Sequence, residues 1–227
     1  MPLCKAALLG LFTLVAAHSQ TARLLYSDEF QHGLKRWSAE LERPGVVEAR
    51  GGVLHIDVPA GATVWFRPEL RGRVRIEYEA TLIQHGGPND RVSDLNCFWM
   101  ATDARSPADL FATLRSGKFA DYNQLRAYYV GQGGNGNTTT RFRRYIGDAE
   151  LRPLLPEHDL SAPELLLQAN VPQKIRIIAD GAHIQYARDG KVLFDYQDAA
   201  PYTHGRFGLR TTFSHLEIRH FRVYRLR

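Results

Sequence analysis

Asp121 to Tyr145 reads DYNQLRAYYVGQGGNGNTTTRFRRY, two strand-like runs joined by a turn rich in glycine and asparagine. Side chains of a strand alternate between its two faces. The second run therefore puts Thr139, Arg141, Arg143 and Tyr145 on one face and Thr140, Phe142, Arg144 and Ile146 on the other. In the first run Leu125, Ala127 and Tyr129 alternate with Gln124, Arg126, Tyr128 and Val130, so one of the two adjacent tyrosines reaches the surface that carries Arg141 and Arg143. Pairing register decides which one. Arginine, tyrosine and amide side chains are denser here than a structural hairpin requires, which marks the segment as a candidate site as well as a fold signal.

Outward from this segment the chain keeps the same texture of short alternating runs. Val46–Ala49 leads through Gly51-Gly52 to Val53–Val58, followed by Ala62–Phe66, Arg73–Ile83 and Ser93–Thr102. Towards the end, Gln173–Ala179, His183–Arg188 and Lys191–Tyr196 are separated by Asp180-Gly181 and Asp189-Gly190, and Gly205–Thr212 precedes a closing run from Leu216 to Leu226. Asp-Gly and Gly-Gly between such runs signal hairpins, because a type I′ turn needs positive φ. Two short loop helices are expected, one capped at Ser106 and closing at Gly117, the other opened by the capping box Ser161-Ala162-Pro163-Glu164. Long helical periodicity is missing, so the pattern predicts an all-β sandwich of antiparallel sheets.

The chain has 227 residues, 44% of them hydrophobic, and a formal charge of +5. That suits one sandwich domain over residues 20–227, preceded by a secretory signal at residues 1–19: a lysine, a short apolar run and small residues for cleavage. The expected destination is the periplasm or the exterior. Cys4 leaves with the signal, so Cys97 remains alone and is expected as a buried small hydrophobe. No Cys/His metal spacing, P-loop or GxSxG is present. Only five of the 29 basic residues are lysine, and arginine's planar fork matches carboxylates in pairs of hydrogen bonds. An acidic polysaccharide or oligosaccharide is therefore the expected partner of a monomer or weak oligomer, ahead of nucleic acid or a membrane.

Asp28-Glu29-Phe30 with Gly33 and Trp37, Gly52-Val53-Leu54, and the ending Gly205-Arg206-Phe207-Gly208-Leu209-Arg210 together resemble secreted bacterial concanavalin A-like sandwiches. More narrowly, SDLNCFWMATD and YYVGQGGNGNTTTRFRRY resemble an uncharacterised group related to YesU-type proteins. The resemblance implies a concanavalin A-like jelly roll whose concave sheet binds a glycan, with rhamnogalacturonan as the first expectation. Such sandwiches sometimes hold structural calcium; Asp28-Glu29 offers one acidic pair towards it, too little to require the ion.

Uronic-acid polysaccharides can be cut by β-elimination, which needs a clamp on the sugar carboxylate, a base for the α proton and an acid for the leaving oxygen. Arg141, Arg143, Tyr145 and Tyr129 or Tyr128 supply candidate parts, with Asn135 and Asn137 in the turn and Arg210 near the end. Neighbouring positive charge is expected to lower a tyrosine's pKa from about 10. Asp94, Asn96 and Phe98 share a strand face that is assigned to the glycan, and Leu95, Cys97 and Trp99 share the other, assigned to the core; the reverse assignment stays open. An exposed Trp99 would be a sugar platform, a buried one mere filling. His85 and His215 are loop histidines able to carry protons near neutral pH. A polysaccharide lyase is thus the leading expectation. The alternatives are a non-catalytic carbohydrate-binding module, or a glycoside hydrolase using Asp94 with Glu77 or Glu79, which share a strand face about 7 Å apart.

Overall fold

The computed structural model describes residues 22–227, so the signal expected at residues 1–19 lies outside the described residues. In chain order the strands are β1 (Ala22–Asp28), β2 (Trp37–Leu41), β3 (Val46–Arg50), β4 (Val53–Arg71), β5 (Val74–Leu82), β6 (Leu95–Asp103), β7 (Leu125–Gly133), β8 (Thr139–Ile146), β9 (Asp159–Leu160), β10 (Gln173–Asp180), β11 (His183–Arg188), β12 (Lys191–Gln197) and β13 (His204–Leu226). The turns form where the glycine pairs predict them. Arg50 pairs with Val53 around Gly51 and Gly52, and Arg188 with Lys191 around Asp189 and Gly190, all four turn residues at positive φ.

Two strands differ from expectation in length. Val53–Val58 and Ala62–Phe66 read as separate runs, and so do Gly205–Thr212 and Leu216–Leu226, yet each pair is one continuous strand. Near Gly61 and the bulge between Thr212 and Ser214, β4 and β13 pass together from one layer of the sandwich into the other. The first halves of β13 and the second half of β4 join β2, β6, β7, β8 and β9 in one layer; their other halves join β1, β3, β5, β10, β11 and β12 in the second. The result is an antiparallel jelly-roll sandwich: the sandwich is what the alternation predicts, and the jelly roll is what the resemblance implies.

Between the layers lies the main core, in which β5 buries Val74, Ile76, Tyr78 and Ala80 and turns Glu77 and Glu79 outward. Cys97 is buried there, and burial pushes its thiol up to about 12. Each fully buried Val, Leu, Ile or Phe stabilises the fold by about 1.5–3 kcal/mol before the entropy of ordering it. The β2–β9 layer is buried on both faces over part of its area. Trp65, Phe98, Ala127, Tyr129 and Tyr145 point away from the core and form a second cluster with Leu110 and Tyr122 of the 104–124 loop. That loop has single 3₁₀ turns at Leu110–Ala112 and Phe119–Tyr122 where a longer helix was expected, and Asp109, not Ser106, caps the first. The segment at Ser161 likewise shortens to one turn, Pro163–Leu165.

An ionic network under the loop fixes it to the sheet. Arg115, fully buried, donates to Glu40 at 2.8 Å and Asp103 at 2.9 Å, and Asp103 also accepts from Arg105 at 2.6 Å. Trp65 and Tyr122 donate to Glu40 as well, at 2.9 and 2.7 Å. The loop thus covers one half of the outer sheet face. The other half stays open as a groove.

Candidate functional site

Register builds the groove. Across five adjacent strands Thr63, Arg210, Asn96, Gly131 and Arg141 pair in one row, and beside it Trp65, Gly208, Phe98, Tyr129 and Arg143 form the next. Tyr129, not Tyr128, therefore shares the face of Arg141 and Arg143. Gly131 has no side chain, and a Cβ there would lie 3.1 Å from the Tyr129 ring and hydroxyl, so this glycine makes the room into which the phenol leans.

The open half contains a hollow of about 350 Å³ lined by Asp94, Asn96, Phe119, Tyr129, Gly131, Gly134, Asn135, Thr139, Arg141, Arg143 and Arg152. It continues into a smaller one of about 150 Å³ that shares Asp94, Asn96, Phe119 and Tyr129 and adds Glu42, Arg210 and Thr212. Arg141 pairs with Asp159 at 2.8 Å, and Arg143 donates to the Arg152 carbonyl at 2.5 Å. Asp94, held at φ 59, accepts from Arg91, from Ser93 Oγ at 2.6 Å and from Asn96 at 3.2 Å. Arg210 is buried, donating to the Gly117 carbonyl at 2.6 Å and Thr63 Oγ1 at 3.1 Å, with Phe119 and Tyr122 flanking its guanidinium.

Burial dominates the titration of the groove. It holds Tyr129, 6% exposed, well above the ordinary phenol value; Tyr145 and Asp94 add to the rise and Arg210 opposes it. Tyr145 is also raised by burial, against the pull of Arg152 and Arg143. This corrects the expectation that arginine neighbours lower a phenol here, because desolvation of a phenolate outweighs them. Arg143 is lowered by burial and by Arg152 and Arg141, though a guanidinium stays charged. At neutral pH the site therefore presents guanidinium donors and protonated phenols.

Tyr129, Arg141, Arg143, Asp94, Asn96, Asn135 and Arg210 line the groove, and Tyr145 lies beneath it with its ring 5.6 Å from that of Tyr129. The other expected residues lie elsewhere. Trp99 is 0% exposed in the core, 5.6 Å from the Tyr128 ring, so no sugar can stack on it. Tyr128 is a structural pin, donating to Asp198 at 2.6 Å on the core side of the sheet. Asn137 ties the hairpin turn to the backbone of Leu167 by two hydrogen bonds of 2.9 and 3.0 Å. His215 pairs with Asp90 at 3.0 Å, and the His85 N–H donates to the same Asp90; neither residue is among those lining the groove. Glu77 and Glu79 sit on the outer face of the second layer with Lys174, Arg176 and Arg222, so neither can act with Asp94 across the sandwich.

Phe119, Arg152 and Glu42 were not predicted. Phe119 opens a single 3₁₀ turn and Arg152 lies in irregular chain, where no periodicity assigns a side chain to a face, and Glu42 follows the last residue of β2. Asp28 accepts from the Phe30 N–H at 2.9 Å and Trp37 Nε1 at 3.0 Å, and Glu29 pairs with His220 and Arg222. Among the described residues no group of three or more His, Cys, Asp or Glu is placed to hold a metal ion.

Residues 56–221 match the model of a family described as a domain of unknown function, DUF6250, and the chain belongs to that family. No curated protein matches the sequence. Among solved structures the chain is similar to a Bacillus subtilis protein of unknown function with a galectin-like fold, at 18% identity and a TM-score of 0.70 over 90% of this chain and 98% of that one. It is also similar to the carbohydrate binding module CBM66 from Bacillus subtilis, at 11% identity and a TM-score of 0.55 over 84% and 96%. The endo-β-1,3-glucanase of Pyrococcus furiosus matches at 12% identity and a TM-score of 0.57 over 92% and 97%. At these identities the likeness is one of fold, and it agrees with the sandwich expected from the sequence.

Proposed function

We propose that this DUF6250 domain is a secreted carbohydrate-active protein whose groove binds an acidic polysaccharide, with rhamnogalacturonan or another uronic-acid glycan as the class. The observation that carries the reading is the convergence of Arg141, Arg143 and Arg152 with Tyr129 and Asn96 on one sugar-sized hollow. Guanidinium forks match carboxylates, and phenol and amide groups match hydroxyls. The carbohydrate-binding neighbour of like fold supports the reading, and the narrower kinship with YesU-type proteins belongs to the same proposal. The test is affinity electrophoresis through gels of rhamnogalacturonan, polygalacturonate, alginate and ulvan, with laminarin as the neutral control. Retardation by an acidic gel, lost in Arg143→Ala, is expected; equal mobility in all gels would refute it.

Eliminative cleavage is the second reading, favoured by two protonated phenols beside Arg143. The clamp would neutralise the uronate carboxylate while a base removes the C5 proton. Those electrons form the C4–C5 double bond, the C4–O bond breaks, and a phenol protonates the leaving oxygen. Tyr129 suits the donating half, since burial keeps it protonated. Glu42 and Asp94 are the carboxylates bordering the groove that can accept the C5 proton. An ultraviolet absorbance rise from a new unsaturated uronate, absent in Tyr129→Phe, is the expected readout. Binding without that rise would leave the protein a carbohydrate-binding module.

A further inference from the structure

Charge is distributed unevenly along the groove. The larger hollow is lined by three guanidinium groups, of Arg141, Arg143 and Arg152. Asp159 balances Arg141, whereas among the described residues neither Arg143 nor Arg152 has a carboxylate within ion-pairing distance. The acid that lines the hollow, Asp94, is already held by Arg91. At the far end the balance differs, because Arg210 and Glu42 line the same small hollow and offset one another. The excess is therefore two positive charges, confined to one end of the groove.

Arg143 and Arg152 stand over nearly neutral ground. Below them lie Tyr145 and Tyr129, and the Phe119 ring packs 5.6 Å from the Arg152 guanidinium. Arg143 donates to the Arg152 backbone carbonyl, which ties its guanidinium to the Arg152 main chain and leaves the rest of the Arg143 fork free. Like charges held together on a partly buried surface repel, and a single carboxylate removes only half of the excess.

We propose that the Arg143 end of the groove takes two anionic groups at once, and that the Arg210 end takes a sugar without charge. This rests on the reading of the groove as an acidic-glycan site and sharpens it. Two adjoining uronates would supply both charges, and so would one uronate beside a sulfated sugar. A glycan presenting an isolated carboxylate between neutral sugars, the alternating backbone of rhamnogalacturonan included, fits poorly, so within the proposed class the inference favours another uronic-acid glycan over rhamnogalacturonan.

The test is calorimetric titration of the whole chain with three probes of equal length: an oligogalacturonate, a sulfated ulvan oligosaccharide, and the same ulvan oligosaccharide after desulfation. The oligogalacturonate, the sulfated ulvan probe, or both should bind at least about tenfold tighter than the desulfated probe, the effect of one additional charged contact. That ratio should shrink with added salt, since the contact is only partly buried. Whether the tighter binder is the galacturonate or the sulfated probe tells which source supplies the second charge. In Arg152→Gln, checked for folding by circular dichroism, the ratio should fall towards one. Equal affinity for singly and doubly charged probes would overturn the inference while leaving an acidic-glycan site standing. Absence of binding by every acidic probe would overturn both.

Discussion

Tyr128 and Tyr129 are neighbours in sequence and opposites in role. The Tyr128 hydroxyl donates to Asp198 and accepts from the Tyr202 N–H at 3.1 Å, while Arg144 donates to the same Asp198 at 2.7 Å. Tyr128→Phe removes one buried donor from that carboxylate and should cost about 1–3 kcal/mol in urea unfolding. Glycan affinity of the folded variant should stay at the wild-type level. Tyr129→Phe should do the opposite, lowering affinity with little change in the urea midpoint. If both variants lose stability alone, Tyr129 has no part in recognition. Gly131→Ala adds a methyl group at the distance where the Tyr129 ring must yield, and should weaken binding in the same direction as Tyr129→Phe. These roles were half legible: alternation separated the two tyrosines, but choosing between them required the pairing of Tyr129 with Arg143.

Among the elements, the 104–124 loop decides where the groove ends. Its anchor, Arg115, bridges Glu40 and Asp103 with no exposed side-chain surface. Arg115→Ala leaves Glu40 without its cation and Asp103 with Arg105 alone, and should cost about 3–5 kcal/mol. Limited proteolysis should then cut the loop in the native state, an outcome that a purely local loss would not produce. The sequence predicted a helix here because Ser-Pro-Ala-Asp is a fair opening, but the ionic network and the aromatic rings of Trp65 and Phe98 hold the segment flat against the sheet. The long strands escaped prediction for a related reason. Pro59-Ala60-Gly61 reads locally as a break, and pairing with β13 before and after it, backed by β3 and β2 on the other edge, keeps the chain extended. Arg152 was illegible because a loop residue has no period, so nothing before the coordinates could place it beside Arg143.

On the scale of the whole molecule, stability should fall over two ranges of acid pH. Burial among Phe142, Phe194 and Tyr196 lowers His158, so its neutral form stabilises the fold and that contribution is lost as pH falls below about 6.5. Asp90 is lowered to about 2, chiefly by the His85 N–H hydrogen bond. Asp103 and Asp198 are also lowered, since hydrogen bonds from Arg105, and from Tyr128 and Arg144, outweigh the opposing effect of burial. Their stabilisation is complete above about pH 4 and disappears as pH falls through the folded values. Urea midpoints measured from pH 8 to pH 2 should show both declines, and His158→Phe should abolish the upper one alone. A midpoint unchanged down to pH 4 in the wild type would contradict the His158 assignment.

The sandwich as a whole was readable from alternation and turn chemistry, whereas the groove existed in the sequence only as scattered arginines and tyrosines. What gathers them is the register of β13, β6, β7 and β8, and what gives the groove its charge is the pair of arginines left without carboxylates. Calorimetric titration with an oligogalacturonate and with its carboxyl-reduced, neutral counterpart tests that account most directly. Binding should be measurable with the acid and reduced at least about tenfold on carboxyl reduction, since the loss of even one of the charged contacts has that effect. Equal affinity for the two sugars would contradict it.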